Sequence, residues 1–353
     1  MKEKRRELNM NVLKVTTFIV IGLVLIWTIL AWNAGMFIPH DKRYAIEPGS
    51  FSDVMAEDKK IVSLKDYKIA CIDIGSGEPV ILLHGCPFSV YEWRDVLPFL
   101  AKHFRVIAPD LLGLGDTPVK LNDDYRLPQD VKMIQELMDH LGIKSARFIG
   151  HDHGGAIVQL LMQHDPSRID MAILTNVEAY DQWPSKPEIP DIKLITNFIT
   201  SPLIFHAFKF RALQRELYSI AVADQATLTD ETLDGFTKQH LMSALRWQRL
   251  RVFLSSQLDK QHNLLTQEAV PAMKKFNKPV LIVWGEQDTN FGPAIARRLA
   301  KDIPGVAGLH WMKNSAHLPM LEEPEEYNTI ALDFFSRNKV DSAAQISLTE
   351  ARK

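Results

Sequence analysis

Cysteine is nearly missing from this chain, which carries only Cys71 and Cys86 in 353 residues. Both fall in stretches that read as a core strand and a loop after a core strand, so a stabilising disulfide is the weaker reading and cysteine gives no compartment. An excess of either charge is missing as well. The formal net charge is −2 and the only basic run lies at the extreme N-terminus, which argues against DNA or RNA as a partner. No Asn-x-Ser/Thr acceptor occurs, a weak lean toward a bacterial periplasmic face over a glycosylating lumen. Internal repeats and low-complexity stretches are also lacking. What remains, 46% hydrophobic and 24% charged, is the composition of a globular protein with one large core or two modest ones.

The N-terminus is the first departure from that average. Lys2, Lys4, Arg5, Arg6 and Lys14 precede an uncharged run from Val15 to Trp32 in which threonines are the polar interruptions. Spanning a bilayer takes ~20 predominantly apolar residues, which this run nearly supplies, and Trp27 and Trp32 suit an interface. A cleaved signal would have a shorter apolar core and a small-x-small site, and Trp32 stands where the first small residue belongs. Residues 1–14 are therefore expected as a basic cytoplasmic end and 15–36 as a transmembrane anchor. By the positive-inside rule the remainder lies on the extracytoplasmic, periplasmic side. The lipid bilayer is the first expected partner.

Residues 37–59 hold no period and read as a linker. Alternating runs at Ile61–Leu64 and Tyr67–Asp73 suggest two half-exposed strands, and the apolar run Pro79–His84 suggests a strand covered on both faces. Strands at 105–109, 146–150 and 171–175 then alternate with helices at 92–102, 130–141 and 153–164. This rhythm implies a mostly parallel, doubly wound sheet. From 180 to 277 only helical patterns occur, such as 213–222 and 232–258, and the sheet resumes at 279–284 and 305–311 with helices at 292–301 and 324–335. The core is thus expected over 60–179 and 278–338, a helical cap over 180–277, and a polar tail over 339–353.

Four local signals carry chemistry. In Arg147-Phe-Ile-Gly-His-Asp-His-Gly-Gly155, a buried strand breaks at glycine, presents Asp152 and resumes as a helix, and glycines 150 and 154 remove Cβ atoms where helix and strand approach. His84-Gly85-Cys86-Pro87 follows a core strand and can aim backbone N–H groups at a developing oxyanion. Asp288 ends Trp284-Gly-Glu-Gln-Asp, just past the next-to-last strand, and His317 ends Asn314-Ser-Ala-His, past the last one. Each has a plainer reading: Asp152 as a helix cap worth ~1 kcal/mol, His317 as a satisfied core histidine, Trp93 and the cap leucines as packing. A cap alone leaves the flanking glycines unexplained. The His151-Asp152-His153 triplet evokes a metal site, but no complementary cluster with zinc-like spacing accompanies it, so neither metal nor cofactor is expected.

The segments HGCPFSVYEWR (84–94), PDLLGLGDT (109–117), GHDHGG (150–155), 281–288 and SAHLPMLEEPEE (315–326) resemble the α/β-hydrolase superfamily. More narrowly, they resemble its aspartate-nucleophile branch of epoxide hydrolases and haloalkane dehalogenases. The resemblance implies an α/β-hydrolase fold: an eight-stranded, mostly parallel sheet with a helical cap, here preceded by the transmembrane helix. It implies that Asp152 attacks a saturated carbon to form an alkyl-enzyme ester, that His317 oriented by Asp288 activates water, and that the N–H groups of Cys86 and His153 form the oxyanion hole. Glu178 is the alternative acid, since some relatives place theirs after the strand that follows the elbow. The implied substrate is small and apolar, an epoxide or an alkyl halide.

Two departures accompany the resemblance. Haloalkane dehalogenases place tryptophan after the nucleophile and commonly asparagine in the His-Gly-Asn-Pro turn to hold the halide, where this chain has His153 and Cys86. Epoxide hydrolases protonate the substrate oxygen with two cap tyrosines, for which this cap offers Tyr218 and, in the second place, Gln248. His153 is the further candidate for that contact. An epoxide hydrolase-like activity is the favoured expectation, with a dehalogenase-like enzyme or a non-catalytic small-molecule receptor on the same scaffold as alternatives.

Overall fold

A computed structural model describes residues 2–41, 55 and 58–336. Its centre is an eight-stranded sheet: β1 Lys59–Ser63, β2 Lys68–Gly75, β3 Pro79–Leu83, β4 Arg105–Pro109, β5 Ala146–Asp152, β6 Ile169–Val177, β7 Val280–Gly285 and β8 Val306–Met312. The spatial order is β1-β2-β4-β3-β5-β6-β7-β8. β2 pairs antiparallel with both β1 and β4, and every other pairing is parallel. The strands follow from their side chains. β5 and β7 are buried at every position, whereas edge strand β1 keeps exposed residues.

This order fixes where a site can form. The chain steps from β3 outward to β4, then returns past β3 to β5, so the connections leaving β3 and β5 diverge and open a crevice at the carboxyl ends of the two strands. Cys86 and Asp152 stand at those two ends.

Between β6 and β7 the chain forms six helices, Ile189–Thr196, Ser201–Ala207, Arg211–Tyr218, Asp230–Leu241, Ala244–Gln257 and Lys260–Met273. They form the expected cap, with one difference. The helix expected over 232–258 is broken at Ser243, whose extended backbone lets its Oγ accept the N–H of Arg246 and start a new helix. The helix expected over 92–102 also divides, into a 3-10 turn Val90–Trp93 and a single turn Leu97–Leu100. Pro98 explains it, because a proline has no N–H to donate back and its ring crowds the carbonyl four residues earlier.

The N-terminal helix runs Lys2–Asn33, longer at its start and shorter at its end than the expected 15–36. Its stretch Val12–Asn33 is long and apolar enough to cross a membrane. Side chains along it, including Phe18, Ile26 and Trp32, are exposed, while Ala31 and Ala34 pack into the protein. Residues 42–54 and 56–57 of the expected linker and the tail 339–353 lie outside the described residues.

Candidate active site

β5 delivers Asp152 into the crevice through a strained turn. Its backbone is left-handed in φ (+50°), a conformation rare for a side chain with Cβ. What tolerates the turn is the glycine setting: a Cβ on Gly154 would lie 2.1 Å from the Leu83 carbonyl oxygen, and one on Gly85 2.8 Å from the Asp152 Cβ. Helix His153–His164 starts at once, and the Asp152 side chain does accept the His153 N–H in the manner of a cap.

The two oxygens of Asp152 have different surroundings. Oδ1 accepts the backbone N–H groups of Cys86 (2.8 Å) and His153 (2.6 Å). Oδ2 lies 3.5 Å from His317 Nε2. On the far side of the imidazole, His317 Nδ1 is 3.0 Å from Asp288 Oδ2. Asp288 is itself held on all sides: Oδ2 accepts Asn176 Nδ2 at 2.6 Å, and Oδ1 accepts the N–H groups of Asn290 and Phe291. Asn176 has a left-handed backbone (φ +43°), which asparagine tolerates better than most residues, and its Oδ1 accepts Gly285 N.

Burial works against charge on Asp152, but the hydrogen bond and charge of His317, helped by His151 and the Cys86 N–H, outweigh it and hold its pKa below the ordinary carboxylate value. Burial also opposes a charged His317, and there the Asp288 charge and the hydrogen bonds to Asp152 and Asp288 raise its pKa well above the usual imidazole value. The site therefore holds a carboxylate and an imidazolium braced by a second carboxylate.

A buried layer beneath these groups had no sequence signal. His151 places Nε2 2.9 Å from the His317 carbonyl oxygen and Nδ1 3.2 Å from both oxygens of Glu92, while Glu92 accepts Gly85 N. One carboxylate thus ties the loop after β3 to the strand that carries Asp152.

The other expected residues divide. Tyr218 and Cys86 line the cavity together with His317. His153 does not: its ring packs against Trp183, Phe253 and His262 and its Nδ1 lies 3.0 Å from Glu178 Oε2, so only its backbone N–H reaches Asp152. Glu178 faces His153 and the His262 Nε2 (3.7 Å), whereas His317 is partnered by Asp288. Gln248 turns away to donate to the Ala34 carbonyl at the end of the N-terminal helix (2.5 Å). His153, Glu178 and His262 bring ligand-type atoms within 4.8 Å of one another, a donor set of two imidazoles and a carboxylate that suits a divalent transition metal. His262 comes from the cap, too far along the chain for any spacing to foretell.

Glu188 is the cavity residue that sequence reading missed. It lines the same cavity as Cys86, Tyr218 and His317. Burial, then the Asp152 charge, pushes its carboxyl up to about 7 against the hydrogen bond from Ser185. Ser185 Oγ and Asn290 Nδ2 hold its two oxygens. The rest of the lining is mostly apolar, with Phe88, Trp183, Ile192, Ile195 and Leu254, around a volume of about 90 Å³.

With sheet, elbow and cap in place, the comparisons agree. Residues 78–324 match the α/β hydrolase fold family, and the chain belongs to it. It is a hydrolase by its relatives. A soluble epoxide hydrolase of Corynebacterium sp. strain C12 is 47% identical over 96 residues, which is 27% of this chain and 32% of that protein. The chain thus spans about a third of that relative's length in the match. Haloalkane dehalogenase 2 of Mycobacterium bovis is 25% identical across 76% of this chain and 91% of its own. Among solved structures, the epoxide hydrolase CorEH superposes with a TM-score of 0.64 at 25% identity, over 79% of this chain and 98% of its own.

Proposed function

We propose that the protein is a membrane-anchored hydrolase that opens small apolar epoxides through an alkyl ester on Asp152. The observation that carries this reading is the unequal pair of carboxylate oxygens: Oδ1 in the N–H pair of Cys86 and His153, Oδ2 beside His317. A charged oxygen attacks an epoxide carbon and the ring C–O bond breaks. The departing oxygen takes the proton of Glu188, and Tyr218 lines the same cavity. Oδ1 stays in its N–H pair as the ester carbonyl.

Alkylation also changes His317. Its pKa is high because an anion lies on each side, and esterifying Asp152 removes one of them, so the imidazole falls back toward the neutral base. Neutral Nε2 takes a proton from water as the oxygen attacks the ester carbon, and the Cys86 and His153 N–H groups hold the resulting oxyanion. On collapse the bond from the ester carbon to Oδ2 breaks, and Oδ2 leaves on the product carbon with the His317 proton. The proton that His317 loses on alkylation restores Glu188, the acid proton shed by the regenerated Asp152 returns to His317, and the sum is epoxide plus water giving diol.

The relatives named for epoxide and haloalkane chemistry support the covalent route. The Glu188 acid favours an oxygen leaving group, because a halide needs no proton. For the anchor, the support is the helix Val12–Asn33 with the basic residues before it, which by the positive-inside rule sets the N-terminus in the cytoplasm.

Incubating a His317→Gln variant with a panel of epoxides and bromoalkanes tests the chemistry. Mass spectrometry should find an adduct on Asp152 that accumulates in the variant and turns over in the parent. A complete lack of adduct across the panel sinks the covalent route, and bromide release without diol formation reassigns the protein to dehalogenation.

A further inference from the structure

We propose that the cap segment spanning residues 194–210 docks into the bilayer beside the N-terminal helix and admits lipophilic, membrane-dissolved substrate to the cavity. The inference rests on the reading of that helix as a membrane anchor and goes beyond it by assigning a face of the catalytic unit, and a substrate class, to the lipid.

Large apolar side chains are exposed here in unusual density. Leu194, Phe198, Ile199, Leu203 and Phe210 stand between 45% and 70% exposed within seventeen residues. Isolated exposed hydrophobes are ordinary, but a cluster of this kind marks a surface that meets something apolar. The chain itself indicates what. The ring of Trp27 on the N-terminal helix packs tilted at 51° against Phe198, with centroids 5.1 Å apart, and its indole N–H donates to the Ile199 carbonyl at 3.0 Å. Gln248 holds the Ala34 carbonyl just past the end of the same helix.

These two ties fix the height of the patch. Trp27 lies six residues before Asn33, so Phe198 and Ile199 ride roughly 9 Å up the helix from its end at ~1.5 Å per residue. The 22 residues of Val12–Asn33 extend ~33 Å, close to the ~30 Å hydrocarbon thickness. A patch tied to Trp27 therefore sits within the membrane boundary and cannot remain in water while the helix spans. Trp32 and Phe37, both exposed and 6.2 Å apart, lie at the level of the interface, and Lys193 and Lys209 flank the patch with charge suited to lipid phosphates.

The patch and the cavity share one wall. Helix Ile189–Thr196 turns Ile192 and Ile195 into the cavity lining while Leu194 is exposed, as is Phe198 just past the helix end. A single helix thus separates bilayer from active site. The substrate class that fits is a small lipophilic epoxide that partitions into the membrane and is drawn from it.

The test uses the full chain in phosphatidylcholine vesicles. Cys71 and Cys86 are buried, so Ile199→Cys offers a selective position for an environment-sensitive fluorophore, with Glu325→Cys on the last helix as an exposed control. The expected result is blue-shifted emission at 199, quenched by nitroxide-bearing lipids, with an aqueous signal at 325 and both proteins retained by the vesicles after carbonate washing. A retained protein whose label at 199 stays aqueous overturns the docking and leaves the anchor standing. Release by carbonate overturns the anchor and the docking with it. A Phe198→Ser, Ile199→Asn, Leu203→Ser variant should also raise KM about tenfold for a small vesicle-partitioning lipophilic epoxide while leaving kcat and turnover of a water-soluble epoxide unchanged. Equal effects on both substrates count against bilayer loading.

Discussion

Glu188 and His317 face one cavity and both are raised from their ordinary pKa values, yet the two are suited to opposite proton tasks. Glu188, lifted to about 7 by burial and by Asp152, is useful while protonated. Turnover of an epoxide should therefore hold at mildly acidic pH and fall as pH rises through about 7, because the carboxyl then loses the proton it must give. Glu188→Gln should abolish that basic limb and slow opening by about a hundredfold, as expected for loss of a general acid. A pH–rate profile of the two proteins checks both points, and an unchanged limb in the variant removes Glu188 from the mechanism.

At the scale of elements, the elbow works because β3, β5 and helix His153–His164 approach more closely than a side chain permits. Gly154→Ala would put a methyl 2.1 Å from the Leu83 carbonyl oxygen, in a position backed by strand and not by a flexible side chain. The expected cost is about 1–3 kcal/mol, with the Cys86 loop displaced from Asp152 and turnover reduced more than stability. Thermal unfolding and kcat measured on one preparation check this. Those same elements explain what was legible in the sequence. Asp152, Asp288 and His317 each follow a strand end, where period, glycine and chain order can be read locally. Glu92, Asn176, Glu188 and His262 act through partners brought near by the sheet order or the cap, and no local pattern encodes such meetings. Ser243 and Pro98 were open to reading as helix breaks, but the apolar period around each masked the break.

For the whole molecule, the N-terminal helix and the cap form one body, since Ala31 and Ala34 are fully buried and Ala34 is bonded to Gln248. Orientation of that helix therefore orients the active site. On the proposed topology, protease added to intact spheroplasts should digest the catalytic unit and spare an epitope on residues 1–14. Digestion of the epitope with protection of the catalytic unit would reverse the topology. The eight-stranded sheet and the family were readable from strand rhythm and motifs. The tilt of the cap against the N-terminal helix was not, because it depends on single contacts such as Trp27 to Ile199.

The unequal surroundings of the Asp152 oxygens have an isotopic consequence. If Oδ2 attacks carbon while Oδ1 stays with the Cys86 and His153 N–H groups, the oxygen delivered to the first molecule of product comes from the protein and not from the solvent. A single turnover in water enriched in oxygen-18 should give unlabelled diol and a heavy Asp152, and label should enter product only from the second turnover. Heavy diol on the first turnover would mean that water strikes the substrate directly. The carboxylate would keep a record of its last substrate, written in one of its two oxygens.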